Sequence, residues 1–251
     1  LRERVATLAR GPLAALRDDD ALAPAARAAQ VRALSKDAGL FGLLQDSSNP
    51  ALTVLVVRET LARHNVGHLA GLFGPQAGLL AGVAEPLRSS HLLPMLAGDK
   101  RGFAFTEPAD APRPSWAVVD GDSLLVSGRK SYVTGGADAD FLVALVDVKG
   151  QGPAMVVIDT ALPGVTLTRR FGSLDGSHHA AFAFEAVRVP RTHAIGAPGE
   201  GRSRALAQIS AVRRQVAADA LGTACWAVDL VAAELLRERR DAAVADLRSK
   251  Y

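Results

Sequence analysis

The sequence predicts an α+β multidomain chain: a helical amino-terminal domain over 1–101, a middle antiparallel β-barrel or sandwich over 102–196, and the start of a carboxy-terminal helical bundle over 197–251. Three observations carry this reading. Apolar residues recur at helical spacing up to about residue 100, alternate with a period near two as far as Pro190, and return to helical spacing beyond Gly201. The strands follow one another with no helix between them, which excludes a parallel doubly wound sheet. Glycines at 196, 199 and 201 punctuate the return to helix.

In the first domain, Leu1, Val5, Leu8, Leu13 and Leu16 mark a helix that Gly11-Pro12 should break or bend. A second helix is expected over 24–44, with a terminus near Lys36 and Asp37. Asp46, Ser47, Ser48 and Asn49 form a turn that places Pro50 at a first helical position. The helix that follows, 51–65, is apolar at Leu52, Leu55, Val56 and Leu61, and a partner helix is expected over 67–80. Ser89 and Ser90 are placed to cap a short helix containing Leu92, Leu93 and Leu96.

The period changes at Asp99-Lys100-Arg101-Gly102. Residues 116–119 and 124–126 flank an Asp120-Gly121-Asp122 turn and read as a hairpin. Strands are expected over 141–146, 154–158, 165–169 and 180–187. A long helix begins near Arg202 and carries Leu206, Ile209, Val212, Val216, Ala220 and Ala224 in one broad stripe as far as Arg240. Gly222 inside it costs about 1 kcal/mol in helix propensity, which points to close packing. The stripe needs a cover, from residues 1–100, from further chain or from a partner.

Composition narrows the function classes. Hydrophobic residues make up 49% of the 251, so a folded chain is expected. The net charge is +3, and the basic clusters Arg169-Arg170, Arg213-Arg214 and Arg237 with Arg239-Arg240 are short and mixed with acids, so nucleic acid is not an expected partner. Charged residues interrupt every apolar stretch well short of about 18 residues, so no membrane span is expected. The lone Cys225 fits a reducing, cytoplasmic setting. The chain opens on Leu1, and a targeting peptide is not seen. His64 and His68 have i,i+4 spacing but lack an intervening Glu or any Cys partner, so no metal centre is expected.

Two loops of the β-domain offer chemistry. FAFTEP (103–108) brings a hydroxyl and a carboxylate to the end of an apolar strand, and GRKSYVTGG (128–136) joins an aromatic ring, a hydroxyl and two glycines. A flat heterocycle such as a flavin needs an aromatic face with nearby hydroxyl and backbone donors. Ordinary structural turns are the plainer reading of the same residues. No dinucleotide or nucleotide glycine loop precedes a helix.

These loops carry a resemblance to the acyl-CoA dehydrogenase family of flavoproteins. Phe105-Thr-Glu-Pro108 resembles its TEP loop, and 128–136 its G-x-K-x-[WY]-[IV]-T-[NG] loop. The segment 182–190 resembles its strand ending V-x-V-P, and Gly199-Glu-Gly201 its G-x-G. Arg213, Ala217-Ala218 and Leu221-Gly222 follow in the order of its next helix, so the series covers about 30–240. The resemblance implies FAD between the domains, with Tyr132 against the isoalloxazine and Thr134, Thr106 and the Phe105 backbone at its edge. It implies α,β-dehydrogenation of an acyl-CoA thioester, an electron-transfer acceptor, and a homodimer or homotetramer, or a hetero-oligomer.

The pattern departs from the family at the catalytic base, which is unassigned. Most members carry a Glu far along the carboxy-terminal bundle, and a minority carry it just before the matched Arg, where Val212 stands. Glu107 and Glu185 are poor substitutes. The loop after Pro108 lacks the GSD signature, no Pro-rich loop with Gly-Gly follows Gln45, and Asp241-Ala-Ala-Val replaces an expected Phe-Gly run. A catalytically inert or flavin-free subunit that supports a partner is therefore the alternative.

Overall fold

The computed structural model describes residues 1–42, 49–98, 100–172 and 178–237. The end of the expected second helix at 43–44, the turn residues Asp46, Ser47 and Ser48, and Asp99 lie outside the described residues, as do Arg239, Arg240 and Asp241. The chain divides into two compact units, Leu1–Gly74 with Ala211–Tyr251, and Pro75–Ser210.

In the first unit, α1 (Arg2–Leu8) and α2 (Ala14–Asp18) are joined by a π-helical turn, Ala9–Leu13. The expected break at Gly11-Pro12 is thus a bulge that absorbs the proline, whose missing N–H would interrupt a regular ladder. Helix α3 (Pro24–Asp37) ends where Gly39 turns left-handed at φ 76°. There the Leu40 N–H donates to Ser35 O at 2.9 Å and the Gly39 N–H to Lys36 O at 3.0 Å. Helix α4 (Pro50–Arg63) starts on its proline, and the Asn49 side chain caps it by accepting from Leu52 N at 3.2 Å. Val5, Leu13, Val31, Val57, Leu61 and Leu72 form the core.

The helix expected over 67–80 is absent; turns and one short 3₁₀ segment, Gly78–Leu80, stand there instead. The physical reason is close backbone approach. A Cβ on Gly71, held at φ +97°, would lie 2.5 Å from Ala28 O, and one on Gly74 would meet the Phe41 ring at 2.7 Å.

Helix α6 (Gly201–Arg237) is the long carboxy-terminal helix. Within the first unit, Asp219 accepts from Arg58 at 2.6 Å and Asp229 from Arg63 at 3.3 Å. Gly222 is buried, and a Cβ there would fall 2.3 Å from Glu59 O, so packing explains the glycine. Val212, Val216, Leu221, Leu230, Val231 and Leu236 are exposed, so much of the apolar stripe is uncovered. By length and composition α6 is also the one helix among the described residues capable of crossing a membrane, which counting uninterrupted apolar runs did not pick out. A bundle helix in water passes the same test.

The second unit holds α5 (Leu93–Ala97), preceded by a helical turn at Arg88–Leu92, and a mixed sheet. Ser89 and Ser90 lie inside that turn and do not cap it. Glu85 accepts from Ser89 N at 3.2 Å and from its hydroxyl at 2.8 Å. The strands are β1 (Arg101–Ala104), β2 (Trp116–Asp120), β3 (Ser123–Thr134), β4 (Phe141–Val148), β5 (Gly152–Asp159), β6 (Val165–Gly172), β7 (His178–Pro190) and β8 (Ala194–Ile195). Their order is β6-β7-β3-β1-β4-β5-β8, with β2 also pairing β3 and β4.

The sheet corrects the expectation of a wholly antiparallel domain, because β1 and β2 both run parallel to β4. They occupy one position between β3 and β4, end to end. Ala104 sits opposite Ala144 and Trp116 opposite Asp147, so β4 advances three residues while the partner chain makes an eleven-residue excursion, 105–115. That excursion is the loop carrying Phe105, Thr106 and Glu107. A parallel return was hidden because the broken strand reads as two unrelated short runs.

Strands β4 and β5 are buried on both faces, which explains their unbroken apolar runs. Leu142, Ala144, Val146, Val156 and Ile158 meet Phe182, Phe184 and Val187 of β7 in one core. Phe141, Val143, Met155 and Val157 face a second core with Leu80, Leu87, Leu92 and Met95. Since the two ends of the strand order share the first core, the sheet curls over it.

Candidate functional site

The sequence-designated residues converge where the 105–115 excursion leaves the sheet. The Ser131 N–H donates to Thr106 O at 2.9 Å, which ties the loop to β3 beside Tyr132. Phe103 of β1 pairs with Thr134 of β3, Thr134 with His179 of β7, and His179 with Phe171 of β6. Directly paired residues share a face. One row therefore carries a ring, a hydroxyl, an imidazole and a second ring. Phe103 stacks on Phe105 with centroids 6.0 Å apart, and Tyr132 on Phe171 at 4.9 Å and 19°.

Tyr132 is 61% exposed and stands at φ 50°, a conformation that costs a non-glycine residue about 1 kcal/mol or more. The irregularity between Lys130 and Val133 produces it, by adding length to β3 relative to β7. The bulge buries Ser131 and turns Tyr132 outward with Thr134. A large ring held outward in a strained conformation is a surface kept for contact. The hydroxyls of Thr106 and Thr134, both exposed, have no hydrogen-bond partner among the described residues.

Beneath the loop lies a buried cation. Lys130 is fully buried and donates to Phe105 O at 3.3 Å and to the Glu107 carboxylate. Burial pushes its ammonium below the ordinary lysine range, and Glu107 opposes that fall. The Ser115 N–H donates to Glu107 Oε1 at 3.1 Å, and the Ser115 hydroxyl lies 3.1 Å from Oε2 and 3.2 Å from Arg129 O. Gly128 makes room, since a Cβ there would lie 2.6 Å from Ser115 Cα. Glu107 is thus committed to holding the loop and is not placed as a proton acceptor. The Phe105 and Thr106 carbonyls are occupied, which leaves the Thr106 hydroxyl as the outward group.

Next to Thr134, a depression of about 380 Å³ is lined by Lys100, Arg101, Gly135, Ala137, Asp138 and His178. Its lining favours an anion, although Asp138 is drawn to Lys100 at 3.9 Å and Arg170 at 3.4 Å. Reading the sequence assigned no role to Phe103, Phe171, His178 or His179. The aromatic Phe171, following Arg169-Arg170 near the end of strand 165–172, was the available signal. Of the other carboxylates considered, Glu185 is exposed on β7; Val212, at the alternative base position, is exposed on α6.

No protein-family model matches the chain. It is 31% identical over 153 residues to the human mitochondrial short-chain specific acyl-CoA dehydrogenase, covering 57% of this chain and 37% of that protein. A crystal structure of a probable acyl-CoA dehydrogenase from Mycobacterium abscessus matches with a TM-score of 0.73 and 27% identity, over 99% of this chain and 73% of that one. The chain is a homologue of the acyl-CoA dehydrogenases. It shares their fold of amino-terminal helices, central mixed sheet and long carboxy-terminal helix. A glutaryl-CoA dehydrogenase from Mycobacterium smegmatis, solved in complex with FADH2, matches in fold with a TM-score of 0.70 and 18% identity, over 98% of this chain and 72% of that one. The chain spans little more than a third of the human acyl-CoA dehydrogenase it matches.

Proposed function

We propose that this chain is an FAD-dependent oxidoreductase that removes the α- and β-hydrogens of an acyl-CoA thioester and passes the electrons to a separate acceptor. One observation carries the reading: an outward, strained Tyr132 stacked on Phe171 beside two exposed threonine hydroxyls without partners among the described residues. That donor set suits a flat, hydrogen-bonding ring. FAD, when bound, supplies the hydride acceptor.

The chain's own residues bind and orient the ring, while the base that takes the α-proton is unassigned. Tyr132 offers an aromatic surface, and Thr106 and Thr134 offer hydroxyls at the ring edge. Lys130 and Glu107 hold the Phe105-Thr106 loop in position, so its hydroxyl is preorganised before the ligand arrives. The cation-lined depression beside Thr134 suits a phosphate-bearing portion of the ligand. Self-association as a homodimer or homotetramer belongs to the same reading, supported by the uncovered apolar residues of α6. So does a reducing, cytoplasmic setting, supported by the single thiol Cys225.

Val212 favours a second reading, in which the chain binds flavin but serves a catalytic partner in a hetero-oligomer, because the residue in the alternative base position cannot accept a proton. Reconstitution of the purified chain with FAD separates the readings. Retained flavin whose visible absorbance bleaches with acyl-CoAs supports dehydrogenation. Retained flavin that no acyl-CoA of any chain length reduces supports the subunit. Failure to retain flavin overturns both.

A further inference from the structure

The second unit holds a cluster that uses none of the residues assigned to the ring-binding face. His91 from the helical turn Arg88–Leu92, Asp159 at the end of β5, and His193 from the 3₁₀ turn Arg191–His193 each offer one ligand atom, and these atoms lie within 4.8 Å of one another. The contact from Nε2 of His91 to Oδ1 of Asp159 is 2.9 Å, and the two imidazoles meet edge to face at 5.0 Å. We propose that His91, Asp159 and His193 bind one divalent first-row transition-metal cation of the Zn²⁺ class.

The imidazoles are already oriented as ligands. The Nδ1–H of His193 donates to Val157 O at 3.1 Å, because a carbonyl can only accept; this leaves Nε2 with its lone pair. That Nε2 has no hydrogen-bond partner among the described residues and is not sealed from solvent, so its lone pair is open to an incoming ligand. Nδ1 of His91 lies 2.8 Å from Ser90 Oγ, which is itself 2.9 Å from Pro86 O. Without a cation, Nε2–H donates to Asp159; with one bound, the hydroxyl proton goes to that carbonyl, Nδ1–H donates to Ser90, and Nε2 is left to bind the metal. One ring nitrogen held by an outer oxygen, with the other free, is the arrangement that fixes histidine ligands in metal sites.

A His91–Asp159 hydrogen bond engages one of the two rings and leaves Nε2 of His193 open; a cation would engage both. Two nitrogens and one carboxylate oxygen favour Zn²⁺, Co²⁺ or Ni²⁺ over Mg²⁺ or Ca²⁺. Metal bonds of about 2.0–2.1 Å place tetrahedral ligands about 3.3 Å apart, so the widest present gap must close by at most about 1.5 Å. Asp159 is the side chain free to move, being 42% exposed against 6% for His91. The same exposure leaves room for water in a fourth position. The sequence expectation of no metal centre was argued from His64 and His68, and these three residues are too far apart in the chain for spacing to reveal them.

The test is a Zn²⁺ titration of the chelator-treated full chain by calorimetry, with Co²⁺ as the spectroscopic probe. One Zn²⁺ per chain is expected at micromolar affinity or better, with a Co²⁺ spectrum of low coordination number. His193→Gln and Asp159→Asn should each weaken binding at least about tenfold, while His64→Gln leaves it unchanged. Absence of binding overturns the proposal, as does undiminished binding in the His193→Gln, Asp159→Asn double variant. Because buried variants can misfold, imidazole nitrogen resonances of the wild-type chain provide a second reading. Zn²⁺ must shift those of His91 and His193; shifts confined to other histidines overturn the assignment. None of these outcomes depends on flavin binding.

Discussion

Tyr132 stacks on Phe171 with ring centroids 4.9 Å apart, although neither ring is buried in a core. The pair joins β3 to β6 across β7, and Arg169 lies over the far ring at 4.7 Å. Such a platform contributes little to folding for its size, because Tyr132 is mostly in water. Replacing Tyr132 with Ala should cost about 0.5–1.5 kcal/mol, the worth of the lost stacking, since alanine carries the same Cβ and gains no relief at φ 50°. Flavin affinity should fall several-fold, and Tyr132→Phe should keep it. Denaturant titration together with flavin fluorescence on reconstitution checks both.

Thr106→Val and Thr134→Val test the hydroxyls. With no partner among the described residues, each substitution should leave stability within about 0.5 kcal/mol of the parent. Each should weaken flavin binding by about 1 kcal/mol, read as a five-fold change in dissociation constant. Loss of stability without loss of flavin would assign the threonines to turn formation.

Lys130→Met leaves Glu107 without its cation and frees the Phe105 carbonyl. Breaking a buried pair costs about 3–5 kcal/mol, and the lower end is expected because Glu107 is 26% exposed. The double variant Lys130→Met, Glu107→Gln should recover part of that loss. Urea unfolding of the parent, Lys130→Met, Glu107→Gln and the double variant measures the coupling.

Gly222→Ala gains about 1 kcal/mol of helix propensity but sets a methyl group 2.3 Å from Glu59 O. Backbone cannot yield as a side-chain tip does, so a net loss of about 1–3 kcal/mol is expected. An equal or higher melting temperature would show that α4 and α6 separate at no cost.

His64 and His68 give the pH dependence. Burial is the main cause that holds each imidazole below its ordinary value, reinforced by Arg10 and Arg63 at His64 and by Arg17 and Arg27 at His68. The unfolded chain then binds more protons between the lowered values and about 6.5, so stability rises with pH across that window and levels off above it. Urea midpoints across the window should show the slope, and His64→Asn should reduce it, leaving the part due to His68.

How much of this was legible in the sequence depends on whether the information was local. Asp120-Gly121 announced its hairpin because only a few residues turn a chain that tightly, and Gly121 does so at φ 57°. Pro50 and Asn49 marked a helix start for the same reason. The segment 67–80 misled because its apolar spacing is helical, while Gly71 and Gly74 serve contacts with Ala28 and Phe41 that no local pattern encodes. In the candidate site, Phe105, Thr106, Tyr132 and Thr134 stood out within two short loops. Phe171 and His179 did not, since cross-strand register placed them there.

The shared position of β1 and β2 has an evolutionary consequence. Each half is anchored to β4 by its own register, so residues can be gained or lost between Ala104 and Trp116 without shifting any neighbouring strand. Lineages can therefore reshape the segment that carries Phe105 and Thr106, lengthening or trimming it, while the scaffold's hydrophobic alternation stays intact. Diversification of ligand preference and preservation of foldability are uncoupled at that break.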